Sequence, residues 1–217
     1  MKKISFFNYT EGNILIAGLL LLGLFLLLLL YCAFFSPADL QTLLSITAAN
    51  IIFGRMAGLS IGIAARMNMI DLILFNFMIE SIMVLLLYPL FARSWNRLEI
   101  ITYKPLHDFF EHSRNAAQKY QPYIQKYGIP GLIFFVFTPL AMTGPVVGSF
   151  IGYIIGFSHR KTLTTILLAT LAAITLWVYL ISHFKDILIA YSTSLNIGFL
   201  LVAAGMGIWY GIKKYLL

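Results

Sequence analysis

Charge is scarce in this chain. Asp, Glu, Lys and Arg together make up 11% of its 217 residues, against 60% hydrophobic, whereas a water-soluble domain is about a quarter charged and under half apolar. That balance excludes a soluble globule, a disordered chain and a fibre. Cysteine is almost missing. Cys32 stands alone, so neither an intramolecular disulfide nor a cysteine-based metal site can form. The sequence also lacks a metal-ligand cluster, a phosphate-binding loop and a dinucleotide fingerprint, and no metal or cofactor is expected. Its histidines, His107, His112, His159 and His183, fall in polar loops or at the end of an apolar run. Gly58, Leu59, Ser60, Ile61 and Gly62 spell the G-x-S-x-G pattern of serine hydrolases. That pattern needs a strand-to-helix elbow and a base within reach, so no enzyme is expected.

Long apolar runs are what the sequence has instead, and about 20 residues suffice to span the hydrocarbon of a bilayer. Residues 14–35 are too long for the apolar stretch of a signal peptide, roughly 7 to 15 residues, and predict a retained span. Residues 69–91, 162–183 and 195–212 predict three more. Two runs are interrupted. Residues 40–66 carry Asn50, Gly54, Arg55, Gly58 and Gly62, and residues 129–157 are broken by Pro139, Thr143, Gly144 and Pro145. Proline removes a donor and clashes with the preceding turn, so each of these runs predicts a re-entrant helical hairpin rather than a crossing. Residues 92–128 are polar with scattered aromatics and predict a surface-lying amphipathic segment.

The net charge of +7 is read through the rule that Lys and Arg in short loops stay cytoplasmic, and nucleic acid is not an expected partner. Six simple spans divide the basic residues 7 to 7 between the two sides, which is no preference. Two hairpins entering from opposite sides divide them 12 to 2, with Arg55 embedded. The double hairpin therefore predicts four spans, both termini cytoplasmic, and an inverted repeat. Such repeats place the binding site at the midplane, where broken helices meet.

At that depth lie Asn50 and Arg55 in the first hairpin, Thr138, Pro139, Thr143, Gly144 and Pro145 in the second, and Glu80 in the middle of 69–91. A charge at the bilayer centre costs about 2.5 to 3.5 kcal/mol on insertion scales, so Arg55 and Glu80 are expected to pair. The pair either binds an anionic group with Arg55 and a coupling proton with Glu80, or only holds hairpin to span. Arg66 and Asp71 are expected near the outer interface, facing water. Gly148, Gly152 and Gly156 repeat at the spacing that lets helices approach closely, as do Gly207 and Gly211. Those faces also allow a homodimer.

Tyr127, Gly128, Gly131, Leu132, Phe135, Val136, Pro139, Leu140, Thr143, Gly144, Gly148 and Gly156, followed by Arg160 and Lys161, resemble the signature of the putative small multidrug export proteins. The hairpin arrangement is similar to that of the DedA family. The likeness is closest from Gln125 to about Leu180. Phe53, Leu59, Ala141 and Met142 stand where the family patterns have other residues, and no arginine occupies the second-hairpin place that DedA proteins use. The resemblance implies a transport function, site roles for Arg55, Pro139, Thr143 and Gly144, and the plasma membrane of a bacterium or archaeon. Three functions fit these readings: export of a small amphipathic or anionic solute, with proton coupling left open; translocation of a lipid-phosphate carrier; or a non-transporting membrane scaffold whose basic segment binds anionic lipid.

Overall fold

Helices account for the backbone of the computed structural model, which describes residues 10–94, 126–138 and 144–184, together with Asp108, Glu111, His112, Asn115 and Gln118. Seven helices have defined bounds. They are α1 (Thr10–Phe35), α2 (Pro37–Phe53), α3 (Arg55–Ala64), α4 (Met69–Ser94), α5 (Ile129–Phe137), α6 (Gly144–Ile154) and α7 (His159–Phe184). No strand occurs among the described residues. At 1.5 Å per residue, the 26-residue α1, α4 and α7 each extend about 39 Å and are apolar enough to cross a membrane. The 17, 10, 9 and 11 residues of α2, α3, α5 and α6 give about 13 to 26 Å each, short of a hydrocarbon core of about 30 Å.

Several helices begin before the apolar runs do: α1 at Thr10 rather than residue 14, α2 at Pro37 rather than 40, α7 at His159 rather than 162. The added residues are polar first turns. Glu11 in α1, Asp39 in α2 and Asp71 in α4 complement the positive end of the helix dipole, and an apolar-run reading passes over the first two. At its other end α4 continues past residue 91 to Ser94. The expected span 195–212, Gly207 and Gly211 lie outside the described residues, as does most of 92–128. The five described positions of that segment, spaced at 108, 111, 112, 115 and 118, are helical and exposed, the spacing of one polar helix face.

Within α1 the buried residues are Gly12, Gly18, Phe25 and Cys32. From Gly18 onward they recur every seven positions, a single narrow seam that α1 lays against α4. The remaining surface is leucine and phenylalanine facing outward, with Leu20 70% and Phe34 81% exposed. Such a surface is stable in lipid and not in water. The helix α4 is buried along most of its length by α1, α3 and α6. A core of Tyr88 and Phe91 from α4, Leu132 and Val136 from α5, Phe150 and Ile151 from α6, and Ile166 from α7 closes around it, with the Phe91 and Phe150 rings stacked 3.7 Å apart.

The interrupted runs each hold two short helices that pack against each other. Gly54 joins α2 to α3 at φ 90°, a conformation that side chains disfavour. α3 folds back on α2, so that a Cβ at Gly58 would lie 3.1 Å from that of Asn50 and 3.2 Å from the Ile46 carbonyl. In the second unit a Cβ at Gly148 would meet Val136 at 3.1 Å, so α6 folds back on α5. Beyond each unit the chain repeats one construction at an offset of 90 residues. α3 ends with Met67 N–H donating to the Gly62 carbonyl and Arg66 N–H to that of Ile63; α6 ends with Phe157 N–H donating to Gly152 and Gly156 N–H to Tyr153. Arg66 and Gly156 both have positive φ, 58° and 90°, which completes a Schellman cap at each end. A Cβ at Gly62 would strike Leu72 and one at Gly152 would strike Thr162, again ten residues on in both cases.

The two units start their following helices from opposite ends of α1. The end of α1, the start of α2 and the turn 65–68 before α4 line one cleft of about 570 Å³. The start of α7 lies instead with Glu11, at the beginning of α1. The chain divides into two compact units, Met1–Val178 and Tyr179–Leu217. Of the second, only the last six residues of α7 are described, and there the Tyr179 and His183 rings lie 4.2 Å apart.

Close approach of α1 to α4 depends on Gly18, where a Cβ would come within 3.0 Å of Leu85 backbone, whereas nothing lies within 4 Å of Gly23. Gly18→Val is expected to destabilise the protein by about 1 to 3 kcal/mol through overpacking, and Gly23→Val to leave it nearly unchanged. Thermal unfolding in detergent checks both.

Candidate functional site

Arg55 is the first residue of α3, directly after the Gly54 turn. A cation at a helix N-terminus opposes the dipole, so helix stability alone does not account for it. Glu80, midway along α4, does. Arg55 Nε donates to Glu80 Oε1 at 2.9 Å and Nη2 to Oε2 at 2.6 Å, a bidentate pair in the fork geometry that suits guanidinium and carboxylate. Both side chains are 7% exposed. The expected ion pair between the first interrupted run and the following long helix is therefore formed.

The third contact of Arg55 reaches the other interrupted run. Nη1 donates to the carbonyl of Val136 at 3.2 Å, in the last turn of α5. A helix that ends inside the protein leaves carbonyls without intrahelical donors, and in an apolar surrounding each unsatisfied group costs several kcal/mol. The end of α5 is satisfied from three directions. Arg55 takes Val136, Trp177 Nε1 donates to Phe137 at 3.1 Å, and Thr138 donates to Phe134 with both its amide, at 3.1 Å, and its hydroxyl, at 3.0 Å. Thr138, expected to offer its hydroxyl at the tip, thus uses its proton within its own helix end. Gly144 begins α6 beside the same place, its Cβ position 3.7 Å from the Val136 carbonyl. Pro145 follows it in the first turn, where a missing N–H is tolerated. Pro139 and Thr143 lie outside the described residues.

Asn50 is buried and donates to Asn76 Oδ1 at 2.8 Å, and Asn76 donates in turn to the Leu72 carbonyl at 2.9 Å. Asn76 lies one helical turn before Glu80 on the same face of α4. That spacing was available in the sequence as a sign of a polar stripe, yet only Glu80 stood out by its charge. Gly58 is the floor of this arrangement, 3.1 Å from Asn76 Oδ1 at its Cβ position. The Val136 carbonyl and Trp177 carried no sequence signal, because a backbone acceptor is independent of residue type. Ser81, next to Glu80, and Thr170, ninety positions beyond it, are buried hydroxyls with no hydrogen-bond partner among the described residues.

Ser60, the central residue of the hydrolase-like pattern, lies inside α3 and donates to the Met56 carbonyl at 2.7 Å, not on a strand-to-helix turn. Gly148 and Gly152 take helix contacts, Gly148 with Ile166 and Gly152 with Thr162, while Gly156 is used for its positive φ. Arg66 and Asp71 are exposed beside the cleft. No group of three or more metal-ligating side chains occurs among the described residues.

The profile of one protein family, described as putative small multi-drug export protein, matches residues 55–176, more than half of the chain. The chain belongs to that family. The match begins at Arg55 and includes Glu80, Val136 and Thr170. α1 and α2, with Asn50, lie before it. No curated protein and no solved structure matches the chain. What defines this small multi-drug export family member at the site is thus an Arg–Glu pair with a backbone acceptor from the second helical unit.

Removing one partner of a buried pair leaves an uncompensated charge, at a cost of about 3 to 5 kcal/mol, whereas replacing both by apolar residues of similar volume is often neutral. Arg55→Ala is expected to lower thermal stability strongly, and Arg55→Met with Glu80→Met to recover most of it. Unfolding temperatures of the three purified proteins measure this; equal stabilities of the single variant and the wild type would contradict the pairing.

Proposed function

We propose that this protein is a transporter of a small amphipathic or anionic solute, bound between the tips of two opposed re-entrant hairpins, α2–α3 and α5–α6. The observation that carries the reading is that Arg55, at the tip of the first hairpin, contacts the long helix α4 through Glu80 and the end of α5 in the second hairpin through Val136. Of the five N–H donors of a guanidinium, three are used among the described residues, which leaves two for an anionic group. An incoming carboxylate or phosphate competes with Glu80 for the same fork. Glu80 then needs another partner, and a proton supplies one.

The repeat at 90 residues supports an inverted arrangement, because α4 begins at the cleft end and α7 at the end that holds Glu11. The halves differ where function would need them to differ. Arg55 and Glu80 correspond to Pro145 and Thr170 at the same offset, so one half supplies the charge and the other the backbone acceptor. Lys2, Lys3, Arg160 and Lys161 belong to the Glu11 end by sequence, which makes that end cytoplasmic by the positive-inside rule. A plasma-membrane location with both termini cytoplasmic, and a DedA-like architecture, are part of this proposal.

The tip of the first hairpin favours a second reading. Ile52 and Phe53, directly before Gly54, are 52% and 68% exposed, so the charged site lies next to a lipid-facing surface. A lipid-phosphate carrier approaching sideways would meet it without crossing water.

Transport is tested in sealed vesicles loaded with anilinonaphthalene sulfonate as an amphipathic anion. Wild-type protein is expected to release dye faster than protein-free vesicles, and Arg55→Lys, which keeps the charge but loses the fork, to be slower by about tenfold, the equivalent of about 1.4 kcal/mol. Release at the wild-type rate by the Arg55→Met, Glu80→Met protein would overturn the assignment of the site. Competition by an undecaprenyl-type phosphate but not by free phosphate would favour the lipid-carrier reading.

A further inference from the structure

The cleft where α1 ends and α4 begins takes no part in the transport reading, and its lining is of two kinds. The charged groups are Asp39 in the first turn of α2, Asp71 in the first turn of α4, and Arg66 in the turn between α3 and α4. All three are exposed. Among the described residues neither carboxylate makes a hydrogen bond or an ion pair, with Arg66 or with any other cation. The neutral polar groups beside them are already engaged. Thr42 donates its hydroxyl to the Ala38 carbonyl at 3.3 Å, and Asn68 Oδ1 accepts from the Ile70 amide at 2.8 Å. The rest of the lining is apolar. Leu43 and Phe75 form its buried part, with Met67 and Met78 half-buried. Cys32, the one cysteine of the chain, also lines the cleft; it is free, 8% exposed and without a hydrogen-bond partner among the described residues.

Helix dipoles account for each aspartate singly, but not for two carboxylates sharing one cleft with no cation at ion-pair distance. Like charges so placed disfavour each other, and a bound cation removes that cost. The kind of cation follows from the walls. A hard divalent ion takes about six to eight oxygen ligands, and no group of three or more metal-ligating side chains occurs among the described residues. A volume of about 570 Å³ falls instead within the roughly 300 to 1,000 Å³ of sites that hold organic ligands. Methionine adapts to ligands of varied shape, and an aromatic ring such as that of Phe75 is the apolar surface that best accepts a cation. Arg66 carries its charge on a long stem that can stay in water, so it need not lie against the ligand. Depth fits as well. The 26 residues of α1 and of α4 extend past a hydrocarbon core of about 30 Å, so the cleft at their ends is reached from the headgroup layer, where amphipathic cations gather.

We propose that the cleft between α1, α2 and α4 binds an amphipathic organic cation, with Asp39 and Asp71 holding the charge and Leu43, Phe75, Met67 and Met78 taking the apolar body beside Cys32. The site is separate from the Arg55–Glu80 pair. Glu80 lies nine residues beyond Asp71, about 14 Å along the axis of α4, and is already paired with Arg55. Binding in the cleft does not require that the protein transport a solute.

The probe is tetraphenylphosphonium, with tetraphenylborate as an anion of the same shape. Full-length protein in phosphatidylcholine nanodiscs is dialysed against the phosphonium ion, and uptake by protein-free nanodiscs is subtracted. Saturable binding at one site per chain is expected. Asp39→Asn and Asp71→Asn are each expected to weaken it about threefold, the scale of one exposed charge contact, and Arg66→Gln to strengthen it by a similar factor. Cys32 reports the location. The bound phosphonium ion is expected to slow alkylation of Cys32 by N-ethylmaleimide, and tetraphenylborate to leave the rate unchanged. Absence of saturable phosphonium binding overturns the proposal, as does binding unmoved by both aspartate variants or weakened by Arg66→Gln. Equal slowing of Cys32 alkylation by the two ions also overturns it, since the cleft would then select shape and not charge. Dialysis and alkylation are both read on the wild type, so a variant that fails to fold does not remove the test. Loss of dye release in Arg55→Lys with phosphonium binding intact would count against the transport reading alone.

Discussion

A single guanidinium ties the two interrupted helical units of this protein to its central helix. Arg55 leaves the Gly54 turn, pairs both its fork nitrogens with Glu80 and reaches Val136 at the end of α5. Each of these groups would be expensive alone. A buried arginine needs an anion, a buried carboxylate needs donors, and a helix ending inside an apolar interior needs something to cap its carbonyls. One side chain answers all three needs, so the ends of α3 and α5 are held together by charge rather than by shape. The rest of the packing is consistent with that. Gly58 lets α3 lie against Asn50 and Asn76, and these two asparagines pair with each other beside the site instead of competing for Arg55.

A pair that is neutral as a unit costs less in an apolar interior than either charge alone, but it is not inert. Its strength depends on complete geometry, and an anion or a proton offered to either member changes the balance. The glycine contacts that bring α6 against α7 and α3 against α4 are by contrast fixed by sterics. The molecule therefore combines rigid hairpin-to-helix joints with one electrostatic joint between the hairpin tips.

Much of this was legible in the sequence. Scarce charge and apolar runs above 20 residues announced the membrane helices, and the broken runs announced pairs of short helices, because Gly54 in one and Pro139 to Pro145 in the other interrupt an otherwise helical pattern. Arg55 and Glu80 stood out because intramembrane charges are rare and seek each other. Four features were not legible. The Val136 carbonyl is a backbone group that any residue provides. The helix starts at Glu11 and Asp39 are polar and fell outside an apolar-run criterion. The 90-residue correspondence lies in cap hydrogen bonds and close contacts, as at Gly62 with Leu72 and Gly152 with Thr162, while the side chains between differ. Arg66 takes the left-handed cap position where Gly156 stands in the second unit, so identity matching does not find it. Tyr88 and Glu11 lie 71 and 148 residues before His159, and only the packing of the helices brings the three together.

The central claim is that the two helical units enter from opposite faces and meet at Arg55. Labelling of single cysteines at Ser36, Arg66 and Ser158 in a Cys32→Ser background, from each side of sealed membranes, tests it most directly. The account predicts that positions 36 and 66 react only from outside and position 158 only from inside. Reaction of positions 66 and 158 from the same side would contradict it, and the site between the hairpin tips would then lose its basis.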